Sequence, residues 1–186
     1  MRLTCRFAPN AHLAVQACDR RCSSDSHGCP CGYRGDSGHA CRCPEHRLAQ
    51  YRQRLSGPLL DRIDLHVDVP RLLPRDRRGC VAGETSQVVR ARVTRARERQ
   101  RRRLAVAGVS ANAHLTARGL RELCTLEPRA IQALDDAYDR LHLSARACDR
   151  VTKVAQTIAD LEGADSIHER HIAESLSYRE HAWRPS

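Results

Sequence analysis

The residues in this sequence best suited to chemistry are sulfur ligands. Of ten cysteines, four form two Cys-x-Cys pairs, Cys29-Pro30-Cys31-Gly32 and Cys41-Arg42-Cys43-Pro44, and the nine residues between the pairs include Gly32, Gly35 and Gly38. Glycine turns let such a loop close on itself and converge its thiols, and thiolates hold zinc tetrahedrally. From Gln16 to Glu45 there is no Leu, Ile, Val, Phe or Met. Something other than an apolar core must therefore order that stretch, and a metal can. Three states stay open for Cys29, Cys31, Cys41 and Cys43: zinc ligands, reduced unliganded thiols, or disulfides. His39 could replace one thiol. The start, Met1-Arg2-Leu3-Thr4-Cys5-Arg6, has no apolar run of the kind an export signal needs, and a chain kept in the cytoplasm holds its thiols reduced. Cys80, Cys124 and Cys148 read as small helix or loop residues.

The cations are the second chemical feature. Lys and Arg together number 32 against 22 Asp and Glu, a net charge of +10, yet Lys153 is the only lysine. A GC-rich genome explains so strong an arginine bias as readily as guanidinium chemistry does, so the charge is only a weak argument for nucleic acid. The one lysine is more decisive. A Walker A loop needs Gly-Lys-Ser/Thr, because its lysine reaches the terminal phosphates. Lys153 instead follows Thr152 in a helical pattern, and the sequence holds no Asp-Glu dipeptide of the Walker B type. These residues are not expected to bind and hydrolyse ATP by that route on their own.

The elements that must position these groups fall in two parts. The cysteine-rich head has almost no aliphatic residues, whereas 32 of the 36 Leu, Ile, Val and Phe residues lie from His46 onward. Pro44 can open a helix over about Glu45 to Leu55, which Ser56-Gly57-Pro58 stops. Ile63, Leu65, Val67 and Val69 alternate with Asp64, His66 and Asp68, the period of a half-buried strand ended by Pro70. Residues 71–83 read as a linker. A helix from Thr85 or Ser86 to about Ala105 places Val88, Val89, Val93 and Ala96 on its apolar side and eight arginines between Arg90 and Arg103 on the other. Thr116 caps a short helix to Cys124, and a third helix covers about Glu127 to Leu141 with Pro128 in its first turn. Ser144 caps a fourth, with Val151, Val154, Ala155, Ile158 and Ala159 inward, and a last one near His168 to Arg179 turns Ile172, Ala173 and Leu176 inward. The fold class is mainly α, one strand followed by a helical bundle. The longest run without a charged side chain, Leu104 to Ala117, is 14 residues, short of the roughly 20 a membrane-spanning helix needs.

The motifs resemble those of the YifB/ComM family of magnesium-chelatase-like AAA+ ATPases. The resemblance rests on Cys29-Pro30-Cys31-Gly32-Tyr33-x-Gly35-Asp36 with Cys41-x-Cys43, and on the run Ser56-Gly57-Pro58-Leu59-Leu60-Asp61-Arg62-Ile63-Asp64-Leu65. It continues through Gly83-Glu84-Thr85-Ser86, Asn112-Ala113-His114-Leu115, Leu143-Ser144-Ala145-Arg146 and Ala155-x-Thr157-Ile158-Ala159-Asp160-Leu161. It closes on His171-x-x-Glu174-Ser175-Leu176-x-Tyr178-Arg179. By this resemblance, residues 29–70 are the end of an AAA+ α/β core and 84–180 its C-terminal helical lid, with 1–28 unmatched.

Several roles are implied by the resemblance alone. Arg62 corresponds to the arginine finger, which reaches a neighbouring subunit's ATP and stabilises charge developing on the γ-phosphate. Arg146 corresponds to the sensor 2 arginine, which faces its own subunit's nucleotide. The family implies ATP with Mg2+, a hexameric homo-oligomeric ring and ATP-driven branch migration of DNA during natural transformation, while the expected cytoplasmic location follows from the missing export signal and spanning segment. Without the resemblance, Arg62 reads as pairing with Asp61 or Asp64, and Arg146 as a first-turn surface arginine. The family carries Asn-Pro, its sensor 1, before the first Cys-Pro-Cys-Gly, where this chain has His27-Gly28. Gln156 stands where an arginine is usual. The sequence is therefore expected to be a C-terminal part of such an ATPase, inactive alone. Two other readings stay open: a zinc-stabilised basic module that binds nucleic acid, its arginine-rich helix touching phosphates, and the non-functional product of an interrupted gene.

Overall fold

The computed structural model describes residues 29–34, 38–54, 63–67 and 83–180. Residues 1–28, Arg62, Cys80 and all but the last residue of the 71–83 linker lie outside these residues. The chain divides into two compact units, Met1–Ser56 and Gly57–Ser186.

In the first unit the cysteine loop leads into α1, Glu45–Arg54. Pro44, which needs no N–H donor of its own, starts the helix: its carbonyl accepts from the N–H groups of Arg47 and Leu48 at 3.0 and 3.2 Å. Leu48 is the buried apolar residue of this helix.

Among its described residues the second unit is a bundle of five α-helices: α2 (Ser86–Leu104), α3 (Ala117–Leu123), α4 (Pro128–Leu141), α5 (Ala145–Glu162) and α6 (Glu169–Glu180). Local chemistry sets where they start. The hydroxyls of Thr85, Thr116 and Ser144 accept from the N–H groups of Val88, Gly119 and Ala147 at 3.5, 3.1 and 3.2 Å, satisfying donors that the helix itself cannot. Pro128 occupies the first turn of α4. Gly163, at φ 82°, closes α5 and lets the Ala164 N–H reach the Ala159 carbonyl at 2.9 Å.

Helix α5 is central and packs against α2, α3 and α6, while α4 packs on α6. Leu104, Leu115, Leu120, Cys124, Ala130, Val151, Ala155, Ile167 and Ile172 form one buried cluster. Two loops are stitched by a parallel bridge between Leu126 and Ile167, in which the Ile167 N–H donates to the Thr125 carbonyl at 2.8 Å and the Glu127 N–H to the Ile167 carbonyl at 3.0 Å.

A polar knot crosses this apolar core. The Asp160 side chain is fully buried on α5 and accepts both terminal nitrogens of Arg103 at 2.6 and 2.8 Å. Asn112 donates from Nδ2 to Asp160 at 2.9 Å and to the Thr157 hydroxyl at 3.0 Å, while its Oδ1 accepts from Arg103 at 3.0 Å. Gln156, buried one turn earlier, also donates to Asp160, at 3.4 Å. Beside the α6 start, the His171 ring accepts the His168 N–H on Nδ1 at 3.0 Å, which leaves the ring proton on Nε2, facing Glu162 at 2.9 Å.

Three sequence expectations are corrected. The described part of the strand, residues 63–67, makes no ladder: the His66 N–H donates to the Tyr178 carbonyl at 2.8 Å, on a helix, and Leu65 and Val67 are exposed. A strand needs a neighbouring strand, and none is formed among the described residues. On α2, Val88, Val89 and Val93 are exposed, and burial begins at Ala96 and continues at Gln100 and Leu104. The helical period holds, but the first half of α2 extends past the helices that would cover it. On α6, Ala173 faces solvent while His171 and Ser175 join Ile172 inside.

Replacing Asp160 by Ala strands the Arg103 cation and should cost about 3–5 kcal/mol in urea unfolding. Arg102→Ala, which breaks only an exposed pair with Glu98, should cost less than about 1 kcal/mol. The acid limb of stability follows from two glutamates. His168 holds the Glu127 carboxyl below the usual range, and His171 followed by Arg170 does the same for Glu162. Their folded values are depressed, so the stabilisation is complete above the ordinary glutamate range and disappears as pH falls through the lowered values. Glu162→Gln should flatten that limb in thermal melts recorded against pH.

Candidate functional site

Each unit holds a cluster of chemically capable side chains among its described residues. In the first, the sulfurs of Cys29, Cys31, Cys41 and Cys43 all lie within 4.8 Å of one another. The sulfur–sulfur distances are 3.3 Å for Cys29–Cys31 and 3.6 Å for both Cys31–Cys41 and Cys29–Cys41. A disulfide needs about 2.05 Å, and all four thiols are free. A tetrahedron with metal–sulfur bonds of about 2.3 Å sets its sulfurs roughly 3.8 Å apart, so the spacing fits a four-sulfur metal site.

Backbone geometry builds this cluster. Gly32 takes φ 81°, and its N–H closes a turn onto the Cys29 carbonyl at 3.1 Å. The Arg34 N–H then donates to the Cys29 sulfur at 3.3 Å. His39 stacks on Tyr33 at 5.1 Å between ring centroids and is outside the four-sulfur group.

The thiols share very little space, and their acidities separate accordingly. Cys31 is lowered to about 6, chiefly by the Tyr33 backbone N–H and then by the thiols of Cys29 and Cys43. For Cys41 the Cys43 backbone favours the thiolate, but desolvation and the neighbouring thiols outweigh it and push the group up to about 12. Cys43 is raised, first by Cys31. Four negative sulfurs cannot coexist there without a cation, and a divalent metal would supply one.

The two other described cysteines behave as packing. Cys124 sits in the apolar cluster, where desolvation raises it to about 11, and Cys148 is raised by desolvation on half-buried α5.

The second cluster lies where α5 begins. A cavity of about 460 Å³ is lined by Arg146, Asp149, Arg150 and Lys153 from α5, by Ala113, Leu115, Thr116 and Ala117, and by Asp64. Ser144 starts α5 so that Arg146 falls in its first turn, exposed and with no partner among the described residues. Arg146 thus borders this cavity beside two further cations. Arg62 lies outside the described residues, though Asp64, two positions later, is in the cavity wall. Sequence reasoning missed Arg150 and Lys153, although spacings of four and seven after Arg146 put all three on one helix face.

The basic face of α2 is largely consumed within the fold. Arg92 pairs with Glu84, Arg99 with Asp165, Arg102 with Glu98 and Arg103 with Asp160. Arg90, Arg95 and Arg101 are its exposed cations without a partner among the described residues.

Comparison with known proteins fits these motifs. The family model described as the C-terminal part of magnesium chelatase, subunit ChlI, matches residues 83–179, and the one for magnesium chelatase, subunit ChlI, matches residues 22–77. The chain belongs to the YifB/ComM magnesium-chelatase-like family. Competence protein ComM of Haemophilus influenzae is 41% identical over 145 residues, covering 74% of this chain and 26% of the relative. Protein YifB of Salmonella typhimurium is 41% identical over 147 residues, covering 76% and 28%. A protein of Mycobacterium tuberculosis is 37% identical over 155 residues, covering 82% and 30%. The chain thus spans less than a third of the length of these curated relatives. Among the described residues no helix is long and apolar enough to cross a membrane.

The four-sulfur geometry predicts one tightly held Zn2+ per chain in protein purified from zinc-containing medium, measured by atomic absorption. Cys41→Ser should lose most of it. Chelation should remove the hydrogen-exchange protection of residues 29–34 and 41–48 while helices α2 to α6 keep theirs.

Proposed function

We propose that this chain provides the lid side of an AAA+ ATP site, together with the finger-bearing segment that acts on a neighbouring subunit in a ring. The observation that carries this reading is the placement of Arg146. It stands in the first turn of α5, exposed, on the wall of a cation-rich cavity of about 460 Å³. A sensor 2 arginine needs that situation: a fixed helix start, an unpaired guanidinium and open space for phosphate. Buried packing of α5 against α2 and α6 would hold it in place, so that closing the lid presents the charge to the nucleotide of its own subunit.

In the same reading residues 29–70 complete the AAA+ core, the four cysteines hold a structural Zn2+, and residues 84–180 form the lid. Arg62 reaches the ATP of the adjacent subunit, where a permanent planar cation offsets charge on the γ-phosphate. The 186 residues contain no Gly-Lys-Ser/Thr loop, so ATP and Mg2+ would be held by P-loop residues outside them. The assembled species would be a hexameric, cytoplasmic ring that moves DNA branches in recombination; one relative carries the name competence protein. A free-standing DNA-binding role for α2 has less support, because four of its arginines are engaged by carboxylates of this same unit.

The test is complementation in trans. An intact family member whose finger arginine is changed to alanine is co-assembled with this chain, and ATP turnover is measured. This chain should restore turnover, and Arg62→Ala should reduce the restored rate by about a thousandfold. Arg146→Ala in a chain joined to a P-loop half should lower turnover by about a hundredfold. Full restoration by the Arg62→Ala chain would exclude the finger role.

A further inference from the structure

Arg146 does not stand alone. Arg150 and Lys153 follow it by one and two turns, and the three span about 10 Å along the helix axis, a length suited to a chain of phosphates more than to a single small anion. Their present partners leave them incompletely satisfied. Lys153 Nζ meets the neutral Ala113 carbonyl, at 3.2 Å. Arg150 Nε lies 3.4 Å from Asp64, against 2.6 Å for the tight Arg103–Asp160 pair. The Arg150 side chain is 15% exposed, and its Nη1 is buried with no hydrogen-bond partner among the described residues. Such an orphaned donor is costly unless a ligand completes it. Three cations face two carboxylates here, Asp64 and Asp149, leaving the wall one charge positive.

We propose that Arg150 and Lys153 bind the polyphosphate of a nucleoside triphosphate alongside Arg146, and that the bound anion draws Arg150 away from Asp64. Phosphate can take a guanidinium through two parallel N–H donors, whereas Asp64 now meets Arg150 only loosely. Asp64 sits in the segment 63–67, which is tied to the end of α6 by the His66 N–H and the Tyr178 carbonyl at 2.8 Å. Loss of its cation releases a contact that holds that segment, so occupancy of the cavity is transmitted to the backbone two residues from Arg62. This rests on the sensor 2 reading of Arg146 and adds two ligand contacts and a competing carboxylate to it.

The experiment uses inorganic tripolyphosphate with the full chain at low ionic strength, followed by calorimetry and by amide exchange at residues 65–67. Arg150→Gln and Lys153→Gln should each weaken binding about tenfold. Arg150→Lys should recover part of the loss, and Asp64→Asn should tighten binding. Tripolyphosphate should speed exchange at His66 in the natural chain. Far-UV circular dichroism of each variant separates lost binding from lost folding. Absence of saturable binding, or affinities unchanged by Arg150→Gln and Lys153→Gln, would overturn the proposal. If only Arg146→Gln weakens binding, the sensor 2 reading stands and this one fails. If Arg150→Gln and Lys153→Gln weaken it but Arg146→Gln does not, the two new contacts stand and the sensor 2 reading fails. Unchanged affinity in Asp64→Asn would remove the exchange step.

Discussion

The second unit depends on one buried carboxylate. Asp160 sits on the central helix with its side chain fully enclosed, and it is tolerable there only because Arg103, Asn112 and Gln156 converge on it. Those partners come from the end of α2, the turn after it and α5 itself. The knot therefore fixes the register of α2 against α5, which the surrounding Ala and Val side chains could not do alone. Apolar contacts tolerate sliding; a bidentate guanidinium–carboxylate pair with a bridging amide does not.

The candidate site inherits this rigidity. Asn112 belongs to the knot, and the next residue, Ala113, forms part of the cavity wall and accepts from Lys153. Thr157, which accepts from Asn112, donates to the Lys153 carbonyl at 2.8 Å. Asp160, which binds Arg103 of α2, and the cations Arg146, Arg150 and Lys153 thus stand at two ends of one helix, α5. At one end the buried Asp160 holds both terminal nitrogens of Arg103; at the other Arg146 is exposed and Arg150 is short of acceptors. The same residue type serves packing at one end and offers charge to a ligand at the other, and the difference lies in how many acceptors surround it.

Much of this is legible in the sequence because it is locally encoded. Thr85, Thr116 and Ser144 start their helices through hydrogen bonds spanning three residues, and Pro128 acts on its own turn. The four cysteines converge through glycine turns over a short loop. What is not legible depends on distance. Arg103 and Asp160 are 57 residues apart, and nothing in the local pattern distinguishes Arg103 from the seven other arginines between Arg90 and Arg103. Val88, Val89 and Val93 carry a sound helical stripe, yet periodicity says nothing about where a partner surface ends. The alternation from Ile63 to Val69 reads as a strand because period two is intrinsic to the segment, while pairing depends on a neighbour. The family resemblance singles out Arg146, and only the geometry adds Arg150, Lys153 and Asp64.

The central claim is that the start of α5 faces the phosphates of a nucleotide held by its own subunit. The most direct measurement is a cryo-electron microscopy structure of this chain assembled with an intact, P-loop-bearing family member and a non-hydrolysable ATP analogue. The account predicts the Arg146 guanidinium within hydrogen-bonding distance of a phosphate oxygen in the same subunit, with Arg62 reaching the adjacent one. A cavity turned away from the nucleotide, with Arg146 in solvent or on DNA, would contradict it.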